Sequence, residues 1–204
     1  MPIEPFALGG EHVELVPLAL HHAEDLAAAA AVDRTTYGWT EVPDGVDAMR
    51  DYIGRLLAQR DAGRAVPFAQ RRRADGRLVG CTRFMELRSW WDRPHPDEVE
   101  IGGTWLGADA QRGPLNTEAK LLLLTHAFET WRVGRVALCT DARNERSRTA
   151  IVRIGAQFEG VLRHHRPSTA PDERGRLRDT AVFALTDEDW PTVRAALRAR
   201  LGTG

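Results

Sequence analysis

Lysine is almost missing from this chain: Lys120 is the only one, and the rest of the 28 Lys and Arg residues are arginine. Those 28 cations face 29 Asp and Glu, a net charge of -1. The basic excess with which nucleic-acid binders hold phosphate backbones is therefore absent, and nucleic acid is not expected as a partner. Cysteine is scarce as well. Cys81 and Cys139 stand apart in the sequence, which makes neither a disulfide framework nor a zinc spacing. We read both as buried free thiols and, with no metal-ligand spacing elsewhere, expect no metal. No run approaches the ~18 apolar residues of a membrane span; the longest are residues 26–32 and 121–124. The opening Met1-Pro2-Ile3-Glu4-Pro5 lacks the basic and apolar parts of a secretory signal. A cytoplasmic protein without membrane or metal is the expectation. No repeat and no linker rich in Pro, Gly or Ser divides the chain, so residues 1–204 read as one domain.

What is present is an ordinary globular composition, 43% hydrophobic and 28% charged. Apolar periodicity predicts strands over residues 12–18, 66–71, 78–87, 98–106, 135–140, 157–164 and 180–185. It predicts helices over 21–32, 45–60, 116–131, 144–154 and 186–201, the last with Thr186 as its N-cap. Strands joined by short turns, such as Ala74-Asp75-Gly76, are antiparallel. The strand–helix–strand unit over 98–140 is long enough for a parallel crossover. The fold class is therefore α/β, with a mixed, mostly antiparallel sheet flanked by helices.

Three places could carry chemistry. The first is the loop over 107–115, which ends a strand and feeds a helix. Such a junction presents free N–H groups and the positive end of a helix dipole, which suits phosphate. Arg112 could add charge there; Lys120, read as lying near the first turn, would be disfavoured by the dipole without an anion nearby. The loop matches neither the Walker A nor the dinucleotide fingerprint, and a plain connection with Pro114 starting the helix is the alternative. The second is the strand EVEIGGTWL, residues 98–106. Strict alternation puts Val99, Ile101, Gly103 and Trp105 on one face, and Glu98, Glu100, Gly102, Thr104 and Leu106 on the other. A carboxylate on a central strand is costly unless paired or at a cleft, and Gly102-Gly103 suggest a bulge or a close backbone approach. Glu100 is thus either a general base at a cleft or the partner of an arginine. The third is the helix from Asn144, where Ser147, Ile151 and Ile154 share the inward stripe. Asn144 is either a cap or a site group.

Taken together, EIGGTWL (100–106), NTEAKLLLL (116–124), DARNERS (141–147), RIGAQFEGVLR (153–163) and RLRDTAVFALTDEDW (176–190) resemble the GNAT acyl-CoA-dependent N-acetyltransferases, in particular their RimJ/RimL branch. The resemblance runs over about residues 13–190. It implies a GNAT-like sheet whose parallel strand pair splays apart to hold the cofactor. It also implies acetyl-CoA as co-substrate and a primary amine as acceptor, either a protein N-terminus or a small molecule. Gln111 matches the first position of the family's phosphate-loop pattern. Pro114 stands where a glycine belongs and Asn116 where a glycine or alanine does. One cradle hydrogen bond is therefore absent or supplied by Arg112, Gly113 or the Asn116 side chain. The resemblance assigns cofactor binding to Trp105, Leu106, Gln111, Arg112, Gly113, Leu115, Asn116 and Asn144. Backbone amides near Trp105 and Leu106 would hold the acetyl carbonyl. Ser147 would donate to the sulfur, and Glu100, with Glu98 in reserve, would act as base through a water. Homodimers are common among similar proteins. A domain that binds acyl-CoA without turning it over is the alternative function. The acceptor side would be lined by the early helices and by segments 89–97 and 166–178, where Asp92, Asp97 and Asp172 mix with Arg93, Arg166 and Arg174 and select no acceptor.

Overall fold

A computed structural model describes residues 3–170 and 173–202; Met1, Pro2 and Asp172, named above, lie outside them. Eight strands form one sheet: β1 (Leu8–Gly9), β2 (Val13–Pro17), β3 (Ala65–Arg72), β4 (Leu78–Arg88), β5 (Glu98–Leu106), β6 (Arg135–Asp141), β7 (Gln157–Pro167) and β8 (Leu177–Thr186). Their order is β1-β2-β3-β4-β5-β6-β8-β7, and every neighbouring pair is antiparallel except β5–β6. The helices are α1 (Ala23–Ala31), α2 (Val46–Asp61), α3 (Leu115–Thr125), α4 (Glu145–Ile154) and α5 (Trp190–Leu201). Among the described residues, no helix is long and apolar enough to cross a membrane.

Two apolar clusters form on the sheet's opposite faces. On one, α1 and α2 set Leu26, Met49, Tyr52 and Ile53 against Ala69, Cys81 and Trp105. On the other, α3, α4 and α5 set Leu115, Leu123, Ile151, Ile154 and Leu197 against Phe68, Phe84, Val99, Ile101 and Phe183. The i, i+4, i+8 spacing of Leu115, Ala119 and Leu123 is the stripe that turns α3 onto the sheet.

Three expectations are corrected. The helix predicted over 116–131 is α-helical only to Thr125 and continues as a π-helical segment, His126–Trp131, closed by Arg132 in the left-handed conformation. Both pieces bury the same apolar stripe, so periodicity does not separate them. The last helix begins at Trp190, not 186. Thr186 ends β8, and its N–H and hydroxyl donate to the Asp189 carboxylate at 2.9 and 2.8 Å. Asp189 N–H returns to Thr186 Oγ1 at 3.4 Å, so Thr186 and Asp189 bond reciprocally as a capping box does, in the turn ahead of the helix. The two-residue β1 was not predicted, being too short to show a period.

Candidate active site

The parallel pair β5–β6 is short. Glu98, Val99 and Glu100 face Arg135, Val136 and Ala137, and pairing stops there although both strands run on. Beyond Glu100 an open seam separates them. The opposite edge of β5 is irregular too. Cys81 faces Trp105 while Arg83 faces Gly102, so β5 carries one extra residue, and Gly103 sits there with a φ of 56°. This is a β-bulge placed at the glycine that tolerates it. It overturns the strict alternation: Trp105 packs in the α1/α2 cluster, while Thr104 turns to α3. Gly107 N–H donates to Val79 O at 2.7 Å, so the Leu106 peptide groups point away from β4. The Leu106 carbonyl accepts from Tyr37 Oη at 3.1 Å and from Gln111 Nε2 at 2.8 Å.

Buried polar side chains brace the bulge from below. Gln70 donates to the carbonyls of Cys81 and Trp105 at 3.0 and 3.3 Å. Lys120 donates to Thr104 Oγ1 at 2.8 Å, and that hydroxyl also bonds Thr82 Oγ1 at 2.9 Å. Lys120 is thus not free near the first turn as read from the sequence; it lies buried between α3 and the sheet, and burial pushes its ammonium down to about 7. Its solitary place in the composition was the one available signal. Nothing in the sequence marked Gln70 or Thr82.

At the loop, Pro114 caps α3 and accepts from Glu118 N–H at 2.9 Å. Arg112 takes a φ of 61° and is exposed, and Gly113 faces open space. Leu115 is buried in the core, leaving its backbone, with that of Asn116, for the first turn's unpaired N–H groups. Asn116 Oδ1 is buried without a partner; turned over, that amide would offer an N–H instead. Gln111 spans the mouth of the seam, donating to Thr36 Oγ1 at 3.0 Å and accepting from Arg146 at 2.6 Å. Across the seam, Asn144 caps α4 by accepting from Ser147 N–H at 3.0 Å, as the cap alternative held. Ser147 is half-buried on the same stripe as Ile151 and Ile154. The loop, the bulge and the start of α4 thus border one slot, and its donors fit a phosphate-bearing thioester cofactor.

Glu100 is 4% exposed on the α1/α2 face of β5. Arg166 of β7 grips both of its oxygens, at 2.9 and 2.7 Å; the ion-pair alternative raised by the sequence is therefore realised. An ionised carboxylate keeps a second lone pair on each oxygen, so the pair does not exclude proton acceptance. Cys139 lies beside it, its thiol pushed up to about 12 by burial and by Glu100. Glu98 stands where the strands are still paired, 3.7 Å from Arg88 and 3.5 Å from Arg135. It lies two residues before the pairing stops. Trp90 and Trp91 are exposed, their N–H groups held by Asp97.

The comparisons with known proteins agree with this fold. A profile described as an acetyltransferase (GNAT) domain matches residues 12–157. The putative ribosomal N-acetyltransferase YdaF of Bacillus subtilis (strain 168) is 27% identical over 190 residues, covering 88% of this chain and 94% of its own. A GCN5-related N-acetyltransferase from Brucella melitensis superposes with a TM-score of 0.83 at 27% identity, over 98% of this chain and 86% of that one. RimJ from Mycobacterium smegmatis, solved in complex with CoA-disulfide, shares the fold with a TM-score of 0.78 at 21% identity, over 98% and 96% of the two chains.

Proposed function

Because this chain belongs to the GNAT acetyltransferase family, we propose that it moves an acetyl group from acetyl-CoA to a primary amine, as one domain spanning the chain. The seam between β5 and β6, open beyond Glu100 and bordered by the α3 and α4 N-termini, is the observation that carries this reading. Acetyl-CoA supplies an acyl group activated as a thioester. The first-turn amides at Leu115 and Asn116, with Gly113, Arg112 and the Asn116 side chain, would hold its phosphates. Gln111 would keep the mouth of the slot in register, and the unused amide N–H groups of Asn144 would meet the cofactor's amide-bearing arm.

The chain's own groups then divide three tasks. Glu100 takes a proton from the acceptor ammonium through a water, because only the neutral amine has a lone pair. Amides at Trp105 and Leu106 donate where the thioester oxygen gathers charge. The Ser147 hydroxyl donates to the sulfur. Arg166 holds the carboxylate in place by its two-pronged contact. We place the reaction in the cytoplasm and leave two copies per assembly as the expected state.

The test is thiol release from acetyl-CoA over a panel of primary amines. Turnover with at least one amine is expected. Tight acetyl-CoA binding in a calorimeter, with no thiol released on any amine, would favour the non-catalytic binding domain, which Pro114 in the phosphate loop motivates.

A further inference from the structure

Arg166 and Arg178 both act on the buried Glu100 carboxylate, and Arg83 stands over the neighbouring stretch of β5. A β-carbon on Gly102 would stand 3.1 Å from Glu100 Oε1, and one on Gly103 would stand 2.5 Å from the Arg83 guanidinium carbon. The two charged ends therefore lie over adjacent residues of β5. Arg166 comes from β7, and Arg178 faces it in register from β8.

The anions within reach are already engaged. Arg166 holds both oxygens of Glu100, with Glu86 3.9 Å from the same Nη2. Both oxygens of Asp141 accept from Arg143, at 2.9 and 2.8 Å. Arg83 has only the Tyr52 phenol oxygen, at 3.3 Å. Among the described residues no carboxylate pairs with Arg83 or Arg178, and the Nε of each is buried without a hydrogen-bond partner. Burial and the neighbouring Arg166 pull the Arg178 guanidinium below its ordinary value. Glu100 and Asp141 offset this only in part, and a half-buried guanidinium with no ion-pair partner of its own is costly.

Resting on the function proposed above, we propose that the acceptor is a carboxylate-bearing primary amine, whose carboxylate is held by Arg83 and Arg178 while its nitrogen is presented to Glu100. The groups that would receive the two ends stand over neighbouring residues, a spacing suited to an amine and a carboxylate on one amino-acid unit. Free amino acids and chain ends with an acidic first residue share this chemistry. Polyamines do not, since their second cation would meet unpaired guanidiniums.

The experiment compares matched pairs on the wild-type protein with acetyl-CoA: glycine and aspartate against their amides, and peptides beginning with Asp against peptides beginning with Asn. A carboxylate advantage of about tenfold or more in kcat/KM is expected in at least one arm, and the arm identifies the source. The amides have the more easily deprotonated amine, so intrinsic reactivity runs against this result. Arg83→Gln and Arg178→Gln should each shrink the ratio. Equal use of acid and amide in both arms, or a preference that survives both variants, overturns the proposal while leaving the acetyltransferase reading in place. If no amine releases thiol, that reading fails instead. Calorimetry with CoA present then decides the site: N-acetylaspartate binding at least tenfold tighter than its diamide supports it, and equal or absent binding ends it.

Discussion

Glu100 combines two properties that pull in different directions, burial at 4% exposure and a two-pronged arginine contact. If it takes the proton, Glu100→Gln should lower kcat by about tenfold to a thousandfold, the range of general-base catalysis. The loss should be greatest at low pH, where more of the amine is protonated, with the Kd for acetyl-CoA nearly unchanged. A wild-type pH–rate profile in the variant would refute the assignment. Lys120 offers a stability test at the same scale. Burial holds its ammonium down to about 7, far below the ordinary lysine value. Between pH 7 and the ordinary lysine range, the unfolded chain binds a proton there that the folded chain does not. Unfolding free energy must then rise with pH in that window, by up to ~1.4 kcal/mol per unit. Below pH 7 the penalty is constant. Lys120→Met should remove that slope in urea titrations run at pH 7, 8 and 9; parallel slopes in the two proteins would show that the lysine is charged in the fold.

At the scale of elements, two joints hold the slot together. Glu118 of α3 accepts the N–H groups of Glu11, His12 and Val13, at 2.8, 2.7 and 2.7 Å. Gly10 leaves room for that carboxylate, since a β-carbon there would stand 2.3 Å from it. Glu118→Ala would strand three donors at the start of β2 and should cost about 3 kcal/mol, read from chemical denaturation. The second joint is the bulge. Gly103→Ala meets both a positive φ and the Arg83 guanidinium. We expect about 1–3 kcal/mol of lost stability and a fall in kcat/KM, since the bulge aims the Trp105 and Leu106 peptides. Most elements were legible beforehand. The strand over 98–106 agrees with β5, and the helix over 144–154 agrees with α4 to one residue, because each has a clear period and a clear stop. The faces of β5 were not legible past Gly103. Gly102-Gly103 did suggest a bulge, but not that an extra residue would be inserted there, and that residue turns every later side chain over.

For the whole molecule, the proposed slot lies where β5, β6, α3 and α4 converge, so a ligand in it would bridge all four. CoA should therefore stabilise the fold as a unit. At a hundredfold excess over its Kd it should add about 2.7 kcal/mol to unfolding, measurable as a concentration-dependent rise in Tm. Absence of any shift with CoA would count against the slot. The loop over 107–115, Glu100 and the α4 start were all singled out from local pattern, because each is a short run with its own chemistry. Segment 166–178, with Arg166 and Arg178 at its ends, was read as lining the acceptor side but not as gripping Glu100, and Arg83, Gln70 and Thr82 were not marked at all. They lie on other strands, and strand pairing alone sets those distances. What the sequence by itself determined is the list and order of elements and the family they spell, since periodicity, caps and motifs are local. What only the tertiary structure decided is which charges meet over the seam and which go without a partner. Electrostatic contact depends on register between segments far apart in the chain, and no local pattern encodes it.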